Sequence, residues 1–144
     1  TVSYSDTKIN FGPFNIDKDS TIELNSNSMV YNTETNITEF FDDVLLKYGR
    51  LKLKSDKLKI INNETLQFFA EGSLIISLGE DSIKGEEIYF DTGNKTATIS
   101  GNVLLIKDGN TISGEKLILN LGDGVAQIVG SVKTVLTPKR KISN

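Results

Sequence analysis

The 144-residue chain contains no cysteine, no histidine and no tryptophan. Zinc sites built on thiolate or imidazole, Cys–His and Ser–His nucleophilic pairs, haem attachment and thiol redox chemistry are thereby excluded. Absence of cysteine suits an oxidising and a reducing compartment equally, so it assigns neither. Proline is scarce, with two residues, and the twelve glycines are spread along the chain rather than gathered into a linker. No apolar run exceeds four residues, of which Val103 to Ile106 is one, against the ~20 that a membrane-spanning helix needs. The net charge of −3 gives no field that would draw nucleic acid. Nothing resembles a phosphate-binding loop that would couple the chain to nucleotide hydrolysis.

What is present is a repeat. The length fits one domain with a sizeable core. Gly72, Gly101 and Gly130 follow one another at steps of 29 residues, and one step back from Gly72 lies Asp43, in the matching context Phe40-Phe41-Asp42-Asp43-Val44-Leu45. Apolar columns keep the same step. Phe41, Ala70, Ile99 and Ile128 stand two residues before the glycine position, and Leu45, Leu74, Val103 and Val132 two residues after it. With one residue inserted around Gly79-Glu80-Asp81, further columns hold Met29, Leu58, Ile88 and Leu117, then Tyr31, Ile60, Phe90 and Leu119, and a shorter one Leu53, Ile83 and Ile112. The chain is thus about four copies of a ~29-residue unit between Ser26 and Leu136.

Inside a unit the apolar residues alternate, as in Leu66/Phe68/Ala70, Leu74/Ile76/Leu78 and Leu117/Leu119/Leu121. A period of two places them on one face of a strand. Between the runs lie Asn62-Asn63, Asp91 to Asn94, Asp108 to Asn110 and Gly122 to Gly124, residue types that reverse strands because they tolerate positive φ or bond their own backbone. No stretch holds a 3.6-residue period with caps at both ends. The pattern predicts an all-β chain of short strands, as a sandwich, a jelly roll or a solenoid. A glycine between two core columns, as in Ile99-Ser100-Gly101-Asn102-Val103, marks a bulge where a strand leaves one sheet for the facing one. Four such units stack into two opposed sheets with apolar columns between them.

Other features have plainer readings. Asp108-Gly109-Asn110 and Gly122-Asp123-Gly124 lack the alternating ligands of a calcium loop and read as turns. Glu86 and Glu87 are adjacent on a strand, point to opposite faces and cannot converge as a catalytic pair. They read as a solvated surface, as does the basic tail around Lys139-Arg140-Lys141. The apolar segment Ile9 to Phe14 suits packing on the sandwich or adding to a neighbour's edge.

The third unit running into the fourth has a recognisable form. Gly101-Asn102-Val103, a turn, Asn110-Thr111-Ile112-Ser113-Gly114-Glu115-Lys116-Leu117, the Asp123-Gly124 turn and an apolar strand to Gly130 resemble the repeat of the lipopolysaccharide-transport, LptA/OstA-like family. Ser82 through Gly93 matches a second time, Ile22 to Tyr31 is similar to the family's entry strand, and Val132 to Pro138 to its exit. The first unit departs with Asp43 in place of glycine, and the second around Ser55-Asp56.

The resemblance implies an open, twisted β-jelly roll of stacked antiparallel strands over residues 22–138, with 1–21 as an N-terminal extension and 139–144 as a basic tail. It implies a non-enzymatic periplasmic carrier in mature form, without cofactor. That carrier shelters the lipid A acyl chains of lipopolysaccharide in an apolar groove between the sheets and passes them from inner to outer membrane. Implied partners are LptC-like inner-membrane and LptD-like outer-membrane components, with head-to-tail self-association through sheet edges. A periplasmic domain of an LptC-like or LptD-like protein is the nearest alternative. A structural or adhesive repeat protein and a carbohydrate-active β-helix enzyme are alternatives of other classes. The enzyme would need carboxylates recurring on one exposed face, whereas the columns that recur here are apolar. The groove positions expected are Phe41, Leu45, Ile60, Phe68, Leu74, Ile76, Ile88, Phe90, Ile99, Val103, Leu105, Ile112, Leu117, Leu119, Ile128 and Val132. Ordinary core packing would account for any one of them as well.

Overall fold

The computed structural model describes residues 7–14 and 20–138, and the described residues form eleven strands and no helix. In chain order these are β1 (Thr7–Asn10), β2 (Ile22–Asn25), β3 (Ser28–Asn32), β4 (Ile37–Tyr48), β5 (Leu51–Asn62), β6 (Leu66–Leu78), β7 (Asp81–Asp91), β8 (Thr96–Lys107), β9 (Asn110–Asn120), β10 (Val125–Val129) and β11 (Lys133–Val135). All pairings are antiparallel. From β4 to β10 each strand pairs with its sequence neighbour; β2 and β3 pair β4, β11 pairs β9, and β1 returns to pair β10. The basic tail over 139–144 lies outside the described residues.

The long strands are bent, and the bends recur. In β4, β6 and β8 the ladder to the next strand slips between Phe41 and Val44, Glu71 and Leu74, and Ser100 and Val103, so that two residues face one. The extra pairs are Asp42-Asp43 (φ 65, 51), Gly72-Ser73 (φ 85, 46) and Gly101-Asn102 (φ 85, 45), and Gly130-Ser131 (φ 85, 48) repeats the geometry between β10 and β11. Two successive left-handed residues turn the chain out of its plane and create a bulge. Glycine suits the first position for a second reason. A Cβ on Gly72, Gly101 or Gly130 would run into the side chain of Asp56, Glu86 or Glu115 on the preceding strand. Glu86 thus lies over Gly101 and accepts a hydrogen bond from Asn102 Nδ2 at 2.7 Å.

The bends corrected one register. By backbone conformation it is Asp42, not Asp43, that stands in the glycine place, a step of 30 residues before Gly72. Phe40 and Val44 therefore join the inward columns. Phe41 and Leu45, expected to face the groove, project from the outer face, opposite Lys57 and Lys54. A shift of one residue exchanges the two faces of a strand.

Each bent strand serves two sheets. The first comprises β3, the leading halves of β4, β6 and β8, the trailing halves of β5, β7 and β9, then β10 and β1. The second comprises β2, the complementary halves of β4 to β9, and β11. Their inner faces meet in one apolar cluster that includes Leu58, Ile76, Ile83, Ile99, Leu105, Leu117 and Leu119, all fully buried. Residues before 22 take part: β1 extends the first sheet, and Phe11 and Phe14 are buried in the same cluster.

Candidate lipid-binding groove

The bends form a spine along one side of the stack. On the opposite side the sheets end in two rows of turns: 33–36, 63–65, 92–95 and 121–124 from the first sheet, 49–50, 79–80 and 108–109 from the second. Between these rows lies a cavity of about 480 Å³. Its apolar wall is Ile22, Tyr48, Leu66, Phe90 and Leu121, contributed by both sheets, and Ser20, Asn62, Glu64, Thr65, Thr92 and Lys95 are polar residues around it. This is a mouth between the sheets.

Tyr48, Phe90 and Leu121 also roof an apolar void deeper inside, lined by Leu46, Leu51, Leu53, Phe68, Ile88 and Ala97. The Tyr48 and Phe90 rings are 6.0 Å apart and tilted by 58°, and Phe90 stacks on Phe68 at 5.6 Å. A file of three aromatic rings thus leads from the mouth to the interior. The void measures only about 20 Å³, room for about one water molecule and far too little for an acyl chain. The side-accessible interior expected from the repeat is therefore closed in this conformation. It is accessible as far as Tyr48 and Phe90, and the inner faces meet beneath them.

The expected groove positions divide into groups. Phe68, Leu74, Ile76, Ile88, Phe90, Ile99, Val103, Leu105, Leu117, Leu119 and Ile128 are buried together between the sheets. Ile60 and Ile112 are half-buried against them. Phe41 and Leu45 lie outside, and Val132, beyond the last bend, is 41% exposed. Sequence reasoning left out of the groove Val44, Leu46, Tyr48, Leu51 and Leu53 on the second sheet, and Leu121 at the mouth. The alternation Leu51/Leu53 and the run Leu117/Leu119/Leu121 carried the signal for three of them. Tyr48 sits beside a turn, where a two-residue period gives no warning of its place at the mouth.

Both ends of the stack are unpaired edges among the described residues. At β3, Met29, Val30 and Tyr31 are more than half exposed, and at the other end Val135 and Leu136 are 47% and 69% exposed. Met29 pairs with the inward-facing Phe40, so the apolar inner surface runs out to the edge.

The outer face of the first sheet has a separate concavity of about 520 Å³. It holds the ring pair Phe69–Tyr89 (4.7 Å), with Lys59 Nζ 5.0 Å from the Phe69 centroid and Lys57 bridged to Glu39 at 3.6 Å. Partial burial, then the charge of Asp91 and a hydrogen bond to it, hold the Tyr89 phenol above its ordinary range. Charged side chains wall this surface, and it lies on the reverse of the apolar interior. It suits solvent better than acyl chains.

A family model described as LptA/(LptD N-terminal domain) LPS transport protein matches residues 23–125. Among solved structures, LptH of Pseudomonas aeruginosa is similar, with a TM-score of 0.72 at 16% identity, over 85% of this chain and 99% of that one. That protein is described as the LptA-homologous periplasmic component of the conserved lipopolysaccharide transport device; at this identity the likeness establishes the fold. No curated protein matches.

Proposed function

The chain belongs to the family of LptA and LptD N-terminal-domain lipopolysaccharide-transport proteins, and on that premise we propose that it carries lipopolysaccharide through the periplasm with the acyl chains held between its two sheets. The observation that carries this reading is the mouth. There apolar side chains of both sheets come to the surface together, directly above the buried columns.

The physical argument is one of exchange. An acyl chain exposed to water costs about 0.8 kcal/mol per methylene, so a dozen methylenes represent about 10 kcal/mol. A chain entering past Tyr48 and Phe90 gives Leu105 or Ile99 a hydrocarbon neighbour in place of the facing sheet, so apolar burial is replaced rather than lost. The sheets part by rotation about the spine. Ladder bonds link neighbouring strands on each side of it, so opening leaves them in place. The polar residues at the mouth, Asn62, Thr65, Thr92 and Lys95, then meet the saccharide and phosphate head.

The edges supply the second element. Unpaired strands with exposed apolar side chains are templates for strand addition. The β3 end and the β11 end are of this kind, which supports head-to-tail contact with another copy or with LptC-like and LptD-like partners.

The test is photocrosslinking from single positions. Probes at Ile99 and Leu105 should capture lipopolysaccharide, and probes at Phe41 and Leu45 should not. Crosslinks from the outer positions only would remove the groove.

A further inference from the structure

We infer that the segment Phe11–Phe14 is a displaceable plug that holds the place of a lipid in the gap between the two rows of turns, beside the mouth, until one arrives; this rests on the carrier reading above. After Asn10 the chain leaves β1 and passes from the first sheet's row of turns to the second's. On the first side, Phe11 N–H donates to Gly124 O at 2.8 Å, and Gly12 lies so close that a Cβ on Gly124 would run into its carbonyl oxygen. On the second side, Arg50 Nη1 donates to Phe11 O at 2.9 Å and to Pro13 O at 3.1 Å, and its guanidinium carbon is 5.4 Å from the Phe14 ring centroid. Lys107 Nζ is 5.2 Å from the Phe11 ring. Phe14 is fully buried and Phe11 nearly so. The segment therefore links the two rows of turns and inserts two benzyl groups between them.

What holds it is what an anionic amphiphile would offer. An acyl chain is an alternative occupant for the apolar wedge that Phe14 fills. A phosphate is a stronger partner for Arg50 than backbone carbonyls and a ring face are, and it can add to the pair that Lys107 already makes with Asp81 at 3.1 Å. The same molecule thus competes for both holds at once. Apart from the bond to Gly124, the anchors of the segment are the side chains of Arg50 in a turn, Lys107 at the end of β8 and Asn10 at the end of β1, rather than a ladder. A protein whose site is occupied by its own plug binds with an apparent affinity reduced by the open fraction.

The experiment is titration with a fluorescent lipopolysaccharide of the full chain and of two variants. Phe14→Ala removes the inserted ring, and Gly124→Ala pushes Gly12 away while leaving every core side chain in place. Each variant should bind about ten-fold more tightly than the parent. In the otherwise cysteine-free chain, Phe14→Cys should be protected from maleimide and become labelled when lipopolysaccharide is added. Equal affinity in all three proteins with unchanged protection would overturn the plug while leaving the carrier reading intact. Weaker binding by both variants would overturn it too, by making Phe14 part of the lipid's own wall. If the folded parent and both variants alike fail to bind, the carrier reading falls, and the plug with it.

Discussion

Replacement of Gly101 by alanine tests the bend on which the two-sheet arrangement depends. Gly101 has φ +85, and an L-residue in that left-handed region costs about 1–2 kcal/mol. The added methyl also meets Glu86, which must swing away and give up the 2.7 Å bond from Asn102 Nδ2. Both partners are exposed, so that loss belongs at the low end of hydrogen-bond contributions, about 0.5–1 kcal/mol. The sum is about 1.5–3 kcal/mol, or roughly 5–10 °C in Tm for a chain of this size. Urea denaturation of G101A, E86A and the double variant measures it. Truncation to alanine removes the carboxyl group, the nearest obstacle, and leaves the Glu86 Cβ 2.8 Å from the added methyl, so relief is partial but the double variant should still be less destabilised than the two single losses added together. Strict additivity, or a G101A loss under about 0.5 kcal/mol, would show that no carboxylate packs over this bend and that the glycine is incidental.

The register correction makes its own forecast. Leu46→Ala, on the buried inner face, should cost about 2–5 kcal/mol, and Leu45→Ala under about 1 kcal/mol; the reverse order in urea melts would put the bend of β4 one residue later. With its folded value raised, Tyr89 keeps its proton to higher pH than the unfolded chain does. Its contribution is thus complete below pH ~10 and is lost as pH rises through the folded value. Y89F should show a flatter alkaline decline in stability, and an identical decline would refute the assigned environment. Val30→Lys on the exposed edge strand β3 should shift light-scattering size toward monomer across a dilution series, because a charge blunts strand addition. A size unchanged from the parent's would exclude β3 as the contact edge.

Much of the fold was readable because each strand has one greasy face. Alternation in Leu74/Ile76/Leu78 or Leu117/Leu119/Leu121 fixes strand and facing together, and the glycines at 72, 101 and 130 marked the bends. The first unit misled because its bend is built from Asp42-Asp43, two residues that also adopt left-handed conformations. A sequence without glycine gave no means of choosing between them. The acidic positions Asp56, Glu86 and Glu115 recur at nearly the same step, yet read singly they resemble surface charge. Their role over the glycines belongs to the adjoining strand and is invisible along the chain. The mouth was harder still. Tyr48, Phe90 and Leu121 are separated widely in sequence and meet only because the two halves of different strands face each other.

One pairing has a consequence for how the chain assembles. Nearly every ladder joins strands adjacent in sequence and can form as a local hairpin, but β1 joins residues 7–10 to 125–128. Closing a loop that long carries the largest entropic cost in the molecule and brings no return until β10 is already in position. The segment made first is therefore the last to dock. In a chain emerging amino-end first, Phe11 and Phe14 wait, unsheltered, for the final repeat to be synthesised and folded.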